Sequence, residues 1–241
     1  MPPKLSVVIP CYNEYERFKN GIEHFLNYLK KQKYNWEIIL VNDGSKDRTL
    51  NLIREKASTN PNIKIVSYDS NRGKGYAITK GVEIAKGEII LFSDLDHAVP
   101  IRTIETFFKY FEKNIPMVIG SRRVKGSKIL RRQHPLRELL GKGFTLLVKL
   151  LIDYKIKDAT CGFKAFSNRM AKKIFKKITI FDWAFDAELL YLCKIYKVDY
   201  VQAPVNWTDV KGSKVSLGRD ILRSFFGLIK IRLNDISKKY K

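Results

Sequence analysis

The chain has 241 residues, 45% of them hydrophobic, and a formal charge of +22. That length buries one sizeable core, and the composition excludes wholesale disorder. No stretch reaches the roughly 18–20 apolar residues that span a bilayer, so a soluble or peripheral protein is expected. The charge implies a polyanionic partner (nucleic acid, an anionic membrane surface or phosphate-bearing substrates) unless it reflects only a lysine bias of the source. Cys11, Cys161 and Cys193 are odd in number and lack metal-type spacing, which predicts buried thiols in a reducing compartment. The start, Met1-Pro-Pro-Lys, runs straight into a predicted strand, with no signal peptide expected.

In chain order, residues 4–9 read as a strand and 16–31 as a helix with Phe18, Ile22, Phe25, Leu26 and Leu29 on one face. A second strand at 36–41 is followed by a turn and a helix over 47–57. Then come a strand at 62–67, a helix over 76–85, a strand at 88–93, a helix near 100–112 and a strand at 117–121. This alternation predicts an α/β fold with a mostly parallel sheet flanked by helices, its ligands lying beyond the carboxyl ends of the strands. The second half changes character. Residues 121–134 are polar and basic, with Arg122, Arg123, Lys125, Lys128, Arg131 and Arg132, and read as a mobile loop. Helices over 136–152 and 183–196, a strand at 199–206 and a last helix over 219–239 follow. The last helix sets Ile221, Leu222, Phe225, Phe226, Ile229 and Leu233 against Arg219, Arg223, Lys230, Arg232 and Lys238. With no repeat or linker, residues 1–241 are expected to form one domain with an elaborated C-terminal part.

Three predicted strand ends carry acids beside turn formers: Pro10-Cys-Tyr12-Asn-Glu14, Asn42-Asp43-Gly-Ser45 and Asp94-Leu95-Asp96. In an extended chain residues i and i+2 project to the same side, so Asp94 and Asp96 can share one hard divalent cation, Mg²⁺ or Mn²⁺, whose other positions take phosphate oxygens. Glu14 and Asp43 can accept hydrogen bonds from a base or ribose, and Tyr12 offers a ring. The plainer reading makes Asp43-Gly-Ser45 and Asp47 a turn and helix cap; three such ends converging on one sheet edge favour a site. Asn71-Arg-Gly-Lys74-Gly75 places two glycines around a lysine near a helix start, which suits a phosphate or a plain glycine turn, and its spacing fits neither a Rossmann fingerprint nor a P-loop.

These strings, Leu5-Ser-Val-Val-Ile-Pro-Cys-Tyr-Asn-Glu14, Val41-Asn-Asp-Gly-Ser45 and Ser93-Asp-Leu-Asp96, resemble the family 2 inverting glycosyltransferases of the GT-A fold. Gly120-Ser-Arg122, Asp158-Ala-Thr-Cys-Gly-Phe-Lys-Ala-Phe166, Trp183-Ala-Phe-Asp-Ala-Glu-Leu-Leu190 and Val205-Asn-Trp-Thr-Asp-Val-Lys-Gly-Ser-Lys214 narrow the resemblance to the polyprenyl-phosphate glycosyltransferases. The dolichyl-phosphate β-glucosyltransferase branch is the nearer, with the dolichyl-phosphate mannose synthases behind it. The resemblance runs from about Leu5 to Arg232. It implies a Rossmann-like nucleotide-sugar-binding half (1–120), an acceptor-binding half (121–217) and a basic amphipathic C-terminal helix (218–241). It also implies a nucleotide-sugar donor held by Pro10, Tyr12, Glu14 and Asp43, and a metal at Asp94 and Asp96; Lys74 and Leu95 complete the expected substrate-binding set. Two departures stand out. Ala98 occupies a position where mannose synthases often carry a glutamine ligand, leaving a third metal ligand unassigned; His97 could substitute only if the loop turned differently. Asn42 replaces a commoner acid beside Asp43.

Inverting transfer is an in-line displacement in which the leaving nucleoside diphosphate develops charge. A hydroxyl acceptor needs a general base, for which Glu188 and Asp186 are the candidates. A phosphate monoester is already largely dianionic at pH 7 and needs cations instead. Arg122, counted with Asp94 and Asp96 as catalytic, and Arg131, Arg132 and Lys214 are the expected cations, arginine being suited to forked contacts with phosphate. A lipid acceptor requires a route to the bilayer, and the last helix has the make-up of an interfacial anchor, or of a helix packed on the core. No nucleic-acid module is recognisable, so no nucleic-acid partner is expected. The expected activity moves a hexose, glucose from UDP-glucose being favoured over mannose from GDP-mannose, to a polyprenyl phosphate on the cytoplasmic face of a membrane. A family 2 enzyme with a saccharide hydroxyl acceptor is the alternative.

Overall fold

The computed structural model describes residues 2–210 and 219–240. Strands β1 (Leu5–Cys11) and β2 (Trp36–Asp43) are buried at nearly every position, as strands covered on both faces must be. Within β1 the faces alternate: Val8 enters one core, Val7 and Ile9 the other. The remaining elements, in chain order, are α1 (Tyr15–Leu29), α2 (Thr49–Ser58), β3 (Ile63–Tyr68), α3 (Lys74–Ile84), β4 (Ile89–Ser93) and α4 (Ile104–Phe111). Then follow β5 (Met117–Ser121), β6 (Lys128–Arg131), α5 (Pro135–Leu151), β7 (Phe163–Ser167), α6 (Asn168–Phe175), α7 (Phe185–Ile195), β8 (Tyr200–Pro204), β9 (Asn206–Thr208) and α8 (Arg219–Ile236).

Seven strands form one sheet in the order β3-β2-β1-β4-β7-β5-β8. All pairs are parallel except those of β7, which runs antiparallel between β4 and β5. Helices α1, α2 and α4 cover one face; α3, α5, α6, α7 and α8 contribute to the core on the other. Order reverses between β1 and β4, and the crevice beyond such a switch point is where open α/β sheets bind ligands.

Three elements were not foreseen. β7 was missed because Lys164 interrupts its apolar run. The fully buried ammonium is satisfied by Asp186 Oδ1 at 2.6 Å and the Cys161 carbonyl at 2.7 Å. α6 directly follows it. Residues 121–134, expected as a loop, contain β6, whose exposed backbone pairs in parallel with β9 in a two-stranded ribbon. The strand expected over 199–206 accordingly divides into β8 in the main sheet and β9 in that ribbon.

Helix α8 packs and exposes apolar residues at once. Leu228 and Ile231 are buried, whereas Phe226 is 64% and Leu233 58% exposed. The chain just beyond it is fastened by Tyr240, whose hydroxyl donates to Glu188 at 2.6 Å and whose carbonyl accepts from Tyr196. Helix α5 has a matching stripe, with Leu136, Leu139, Leu146 and Leu150 all exposed.

Candidate active site

The carboxyl ends of β1, β2 and β4 and the loop after β3 meet at one rim, and hydrogen bonds between loops fix it. At the end of β1, Pro10 is partly buried, and Tyr12 just beyond the strand lies at the surface. Asn13 N–H donates to Ser45 Oγ (3.0 Å), Glu14 N–H to Thr49 Oγ1 (2.8 Å) and Tyr15 N–H to Asp47 (3.2 Å). Asp47 also accepts the Thr49 N–H, which is the helix-start role its spacing suggested. The Glu14 carboxylate lies 3.5 Å from Arg17.

Asp43 is only 3% exposed. It accepts hydrogen bonds from the backbone N–H of Arg72 (2.8 Å) and Gly73 (3.0 Å) and from the Asn71 amide (2.8 Å). Burial raises its pKa against the pull of those donors. Asp43 thus shapes the 71–73 loop, and Gly73, at φ +98°, turns that loop into α3. The first residue of α3 is Lys74, and its ammonium meets Asp94 Oδ1 at 2.6 Å. Burial would discharge Lys74, but Asp94 and Asp186 outweigh it and hold its pKa above the ordinary value.

Asp94 and Asp96 follow β4. Gly162 closes on Asp94 so tightly that a Cβ there would sit 2.0 Å from Oδ2. Asp96 Oδ1 accepts the Ala98 N–H at 3.0 Å. Its pKa is raised, first by burial and then by the charge of Asp94. An acid whose ionisation is opposed by burial and by a neighbouring carboxylate is a donor that a hard cation relieves. Among the described residues no group of three or more acidic, His or Cys side chains surrounds a common point, so a cation here would take its other ligands from phosphate or water. His97 does not complete the set: it turns away, with Nε2 at 2.8 Å from the Gly21 carbonyl. Leu95 is buried, so its side chain is packing, with only its backbone at the rim.

Arg122 follows β5. Its guanidinium grips the fully buried Asp158 through Nε and Nη2, each at 2.7 Å, its backbone N–H adds a third bond to Asp158, and Nη2 reaches Thr160 at 2.9 Å. The Trp207 ring lies 5.3 Å from the guanidinium. A cleft beside this pair is lined by Arg122, Arg123, Ile129, Arg132, Gln133, Glu138, Lys142 and Trp207, with Lys142 paired to Glu138 at 2.9 Å. Arg123 and Lys142 are therefore additional cations; Lys142 had been missed because it sits inside a helix, where its neighbours gave no signal. Arg131 instead turns to the Asp209 carbonyl. Lys214 lies outside the described residues. The short segment 158–162 joins the two sites, Asp158 and Thr160 holding Arg122 while Gly162 abuts Asp94.

The two candidate bases differ in surroundings, and Asp186 adds its charge to the environment of Lys74. Asp186 is tied to Lys164. Glu188 is fully buried and accepts from Thr179 N–H and Oγ1, Ile180 N–H and Tyr240 OH. Burial, opposed by those bonds, raises its pKa. The geometry makes Glu188 a fastening point for the C-terminal segment.

Residues 6–175 match the family model described as glycosyl transferase family 2. Proteins named dolichyl-phosphate beta-glucosyltransferase are similar over most of their length. That of Dictyostelium discoideum is 34% identical, covering 92% of this chain and 74% of the relative; that of Homo sapiens is 33% identical, covering 91% and 74%. Glucosyl-3-phosphoglycerate synthase from Mycobacterium tuberculosis, solved with Mn²⁺, uridine diphosphate and glucosyl-3-phosphoglycerate, superposes with a TM-score of 0.65 at 18% identity, covering 95% of this chain and 80% of the other. The same enzyme with Mg²⁺ and uridine diphosphate gives 0.67 at 19%, covering 95% and 79%. With a seven-stranded sheet of GT-A type and a family match across most of its length, the chain belongs to glycosyltransferase family 2 and is a glycosyltransferase.

Proposed function

We propose that this enzyme moves glucose from UDP-glucose to a polyprenyl phosphate of the dolichyl type, on the cytoplasmic face of a membrane. The observation that carries the reading is the cationic cleft of Arg122, Arg123, Arg132 and Lys142, joined to the Asp94–Asp96 pair through residues 158–162 and opening beside the exposed leucines of α5. Relatives named for dolichyl phosphate and neighbours solved with uridine diphosphate support the same acceptor and donor. Asp94 and Asp96 would hold Mg²⁺ or Mn²⁺, which when bound neutralises charge on the leaving diphosphate. Tyr12, Glu14 and the loop fixed by Asp43 form the wall for the nucleoside, and Lys74 reaches the diphosphate side of the acid pair.

The chemistry needs no base. An oxygen of the acceptor phosphate attacks the anomeric carbon from the side opposite the diphosphate. The bond from that carbon to the diphosphate breaks, and the electron pair leaves on the diphosphate. The dianionic monoester becomes a diester monoanion, with inversion and no proton transferred. The cleft's cations attract and orient that dianion. Accordingly, Glu188→Ala is expected to cost about 3 kcal/mol of stability, by removing a buried, fully bonded carboxylate, while activity per folded molecule stays within about threefold. Chemical unfolding paired with transfer assays checks this. A thousandfold loss in the folded variant would favour a hydroxyl acceptor.

The decisive assay is transfer from radiolabelled UDP-glucose, and in parallel GDP-mannose, to a short polyprenyl phosphate with Mn²⁺ or Mg²⁺. Labelled lipid from UDP-glucose is expected; label from GDP-mannose alone would reassign the donor, and none from either would overturn the acceptor.

No described helix is long and apolar enough to cross a membrane. The exposed stripes of α5 and α8, with Arg223 and Lys230 beside the latter, suit the headgroup boundary, each basic residue adding about 1 kcal/mol at an anionic surface. Phe226→Glu with Leu233→Glu is expected to lower binding to phosphatidylserine-containing vesicles by about tenfold or more, as read by flotation. Unchanged flotation would remove α8 from the membrane surface.

A further inference from the structure

The loop carrying Asp94 and Asp96 does not hold its own shape; it is pressed into shape by α1. Gly21 sits mid-helix, where glycine costs about 1 kcal/mol relative to alanine. Its missing Cβ makes room for the acid loop: an added Cβ would lie 2.6 Å from the Leu95 carbonyl oxygen and 2.8 Å from Leu95 Cγ. The carbonyl of the same glycine receives His97 Nε2 at 2.8 Å. His97 has φ +58°, a left-handed conformation that a non-glycine residue keeps only when its surroundings hold it there. The hold is visible. Its ring packs on Phe25, centroids 4.5 Å apart, and on His24 at 4.6 Å. The turn at His97 then delivers the Ala98 N–H to Asp96 Oδ1.

We propose that His97, seated on Gly21, is a positioning residue that orients the Asp96 carboxylate for the divalent cation. The inference rests on the reading of Asp94 and Asp96 as the cation's ligands. The line of contact is continuous: Gly21 carbonyl to His97 ring, His97 backbone to Ala98 N–H, Ala98 N–H to Asp96. The same residue that had been weighed as a third ligand supports a ligand from behind. Partners that orient metal ligands in this way typically contribute ten- to a hundredfold to metal affinity.

The test is Mn²⁺ titration followed by electron paramagnetic resonance, on the whole chain with and without UDP, alongside the Mn²⁺ dependence of transfer. His97→Ala and Gly21→Ala are each expected to raise the half-saturating Mn²⁺ concentration about tenfold, with kcat at saturating Mn²⁺ falling less than threefold. His97→Gln, which keeps an amide donor at a reach similar to Nε2, is expected to recover most of the affinity. His97→Gly accepts the left-handed backbone without the tether, so it is expected to behave like the alanine variant while avoiding backbone strain. Unchanged Mn²⁺ affinity in His97→Ala and His97→Gly, with Asp96→Ala abolishing binding, would overturn the positioning role alone. A loss of kcat with Mn²⁺ affinity intact, or a glutamine variant no better than alanine, would also overturn it. Mn²⁺ binding unaffected by Asp96→Ala would overturn the ligand assignment, and the positioning role with it.

Discussion

Alanine at Asp96 is expected to lower transfer by about a thousandfold or more without unfolding the protein. The carboxylate is partly buried beside Asp94, and both burial and that neighbour raise its pKa. Removing it relieves repulsion and leaves one backbone N–H, that of Ala98, without its acceptor, at about 1 kcal/mol. Fold and function therefore separate at this position. On the proposed function, what is lost is one of two ligands for the cation that would neutralise the leaving diphosphate. Chelation with EDTA is expected to mimic the substitution, and added Mn²⁺ to restore the wild type but not the variant. Transfer from UDP-glucose at saturating metal, with thermal unfolding in parallel, checks both halves. Activity within tenfold of wild type would remove Asp96 from the chemistry. Asp94→Ala is expected to be as severe and also frees Lys74 of its 2.6 Å partner.

Removing the other conspicuous carboxylate, by Asp158→Ala, has the opposite signature. Asp158 is fully buried, and its oxygens accept the Arg122 guanidinium at two points and the Arg122 backbone N–H. Alanine leaves a largely buried guanidinium uncompensated, which typically costs 3–5 kcal/mol and, for a chain of this size, roughly 10 °C in Tm. Burial alone would raise the Asp158 pKa; the charge and hydrogen bonds of Arg122 outweigh it and lower it to about 2. A depressed folded-state pKa contributes stability that is complete above the unfolded value near 4 and is lost as pH falls towards 2. That increment is roughly 2 kcal/mol. Urea unfolding between pH 5 and pH 2.5 should show the wild type losing it and Asp158→Asn not doing so. Equal acid sensitivity in the two would contradict the ion pair's role. Because Arg122 also lines the cationic cleft, Asp158→Asn is expected to raise KM for the phosphate acceptor as well.

The parallel sheet and its helices were readable because β1, β2 and β4 each carry an apolar run (Val7–Ile9, Ile38–Val41 and Ile89–Phe92) and α1 repeats its buried residues at helical spacing. The convergence of Glu14, Asp43 and Asp94 followed from parallel strands alone. What local pattern could not carry was anything satisfied by a distant partner. Lys164 in β7 looks like a strand breaker until Asp186, 22 residues on, takes its ammonium. The basic run 121–134 looks unstructured until β9 arrives to pair with it. Glu188 looked like a base on a helix surface until the chain returned at Tyr240 to bury it. The same applies to Asp43, which reads as a nucleotide contact and is used largely to bend its neighbour loop. His97 beside the acids suggested a ligand, yet its ring belongs to α1.

The ribbon of β6 and β9 ties the two substrates' territories together. The Ala98 carbonyl, at the end of the acid loop, accepts the Thr208 N–H at 2.9 Å, and Thr208 pairs with Arg131, next to Arg132 in the cationic cleft. On the proposed function, a shift of the ribbon on acceptor arrival would be passed to the acid loop through that bond, and the reverse. Such a link is reciprocal by thermodynamic necessity, so the factor by which acceptor sharpens donor binding equals the factor by which donor sharpens acceptor binding. On the proposed function, the enzyme would then bind donor and phosphate acceptor more tightly together than apart, with hydrolysis of the donor slow in the acceptor's absence.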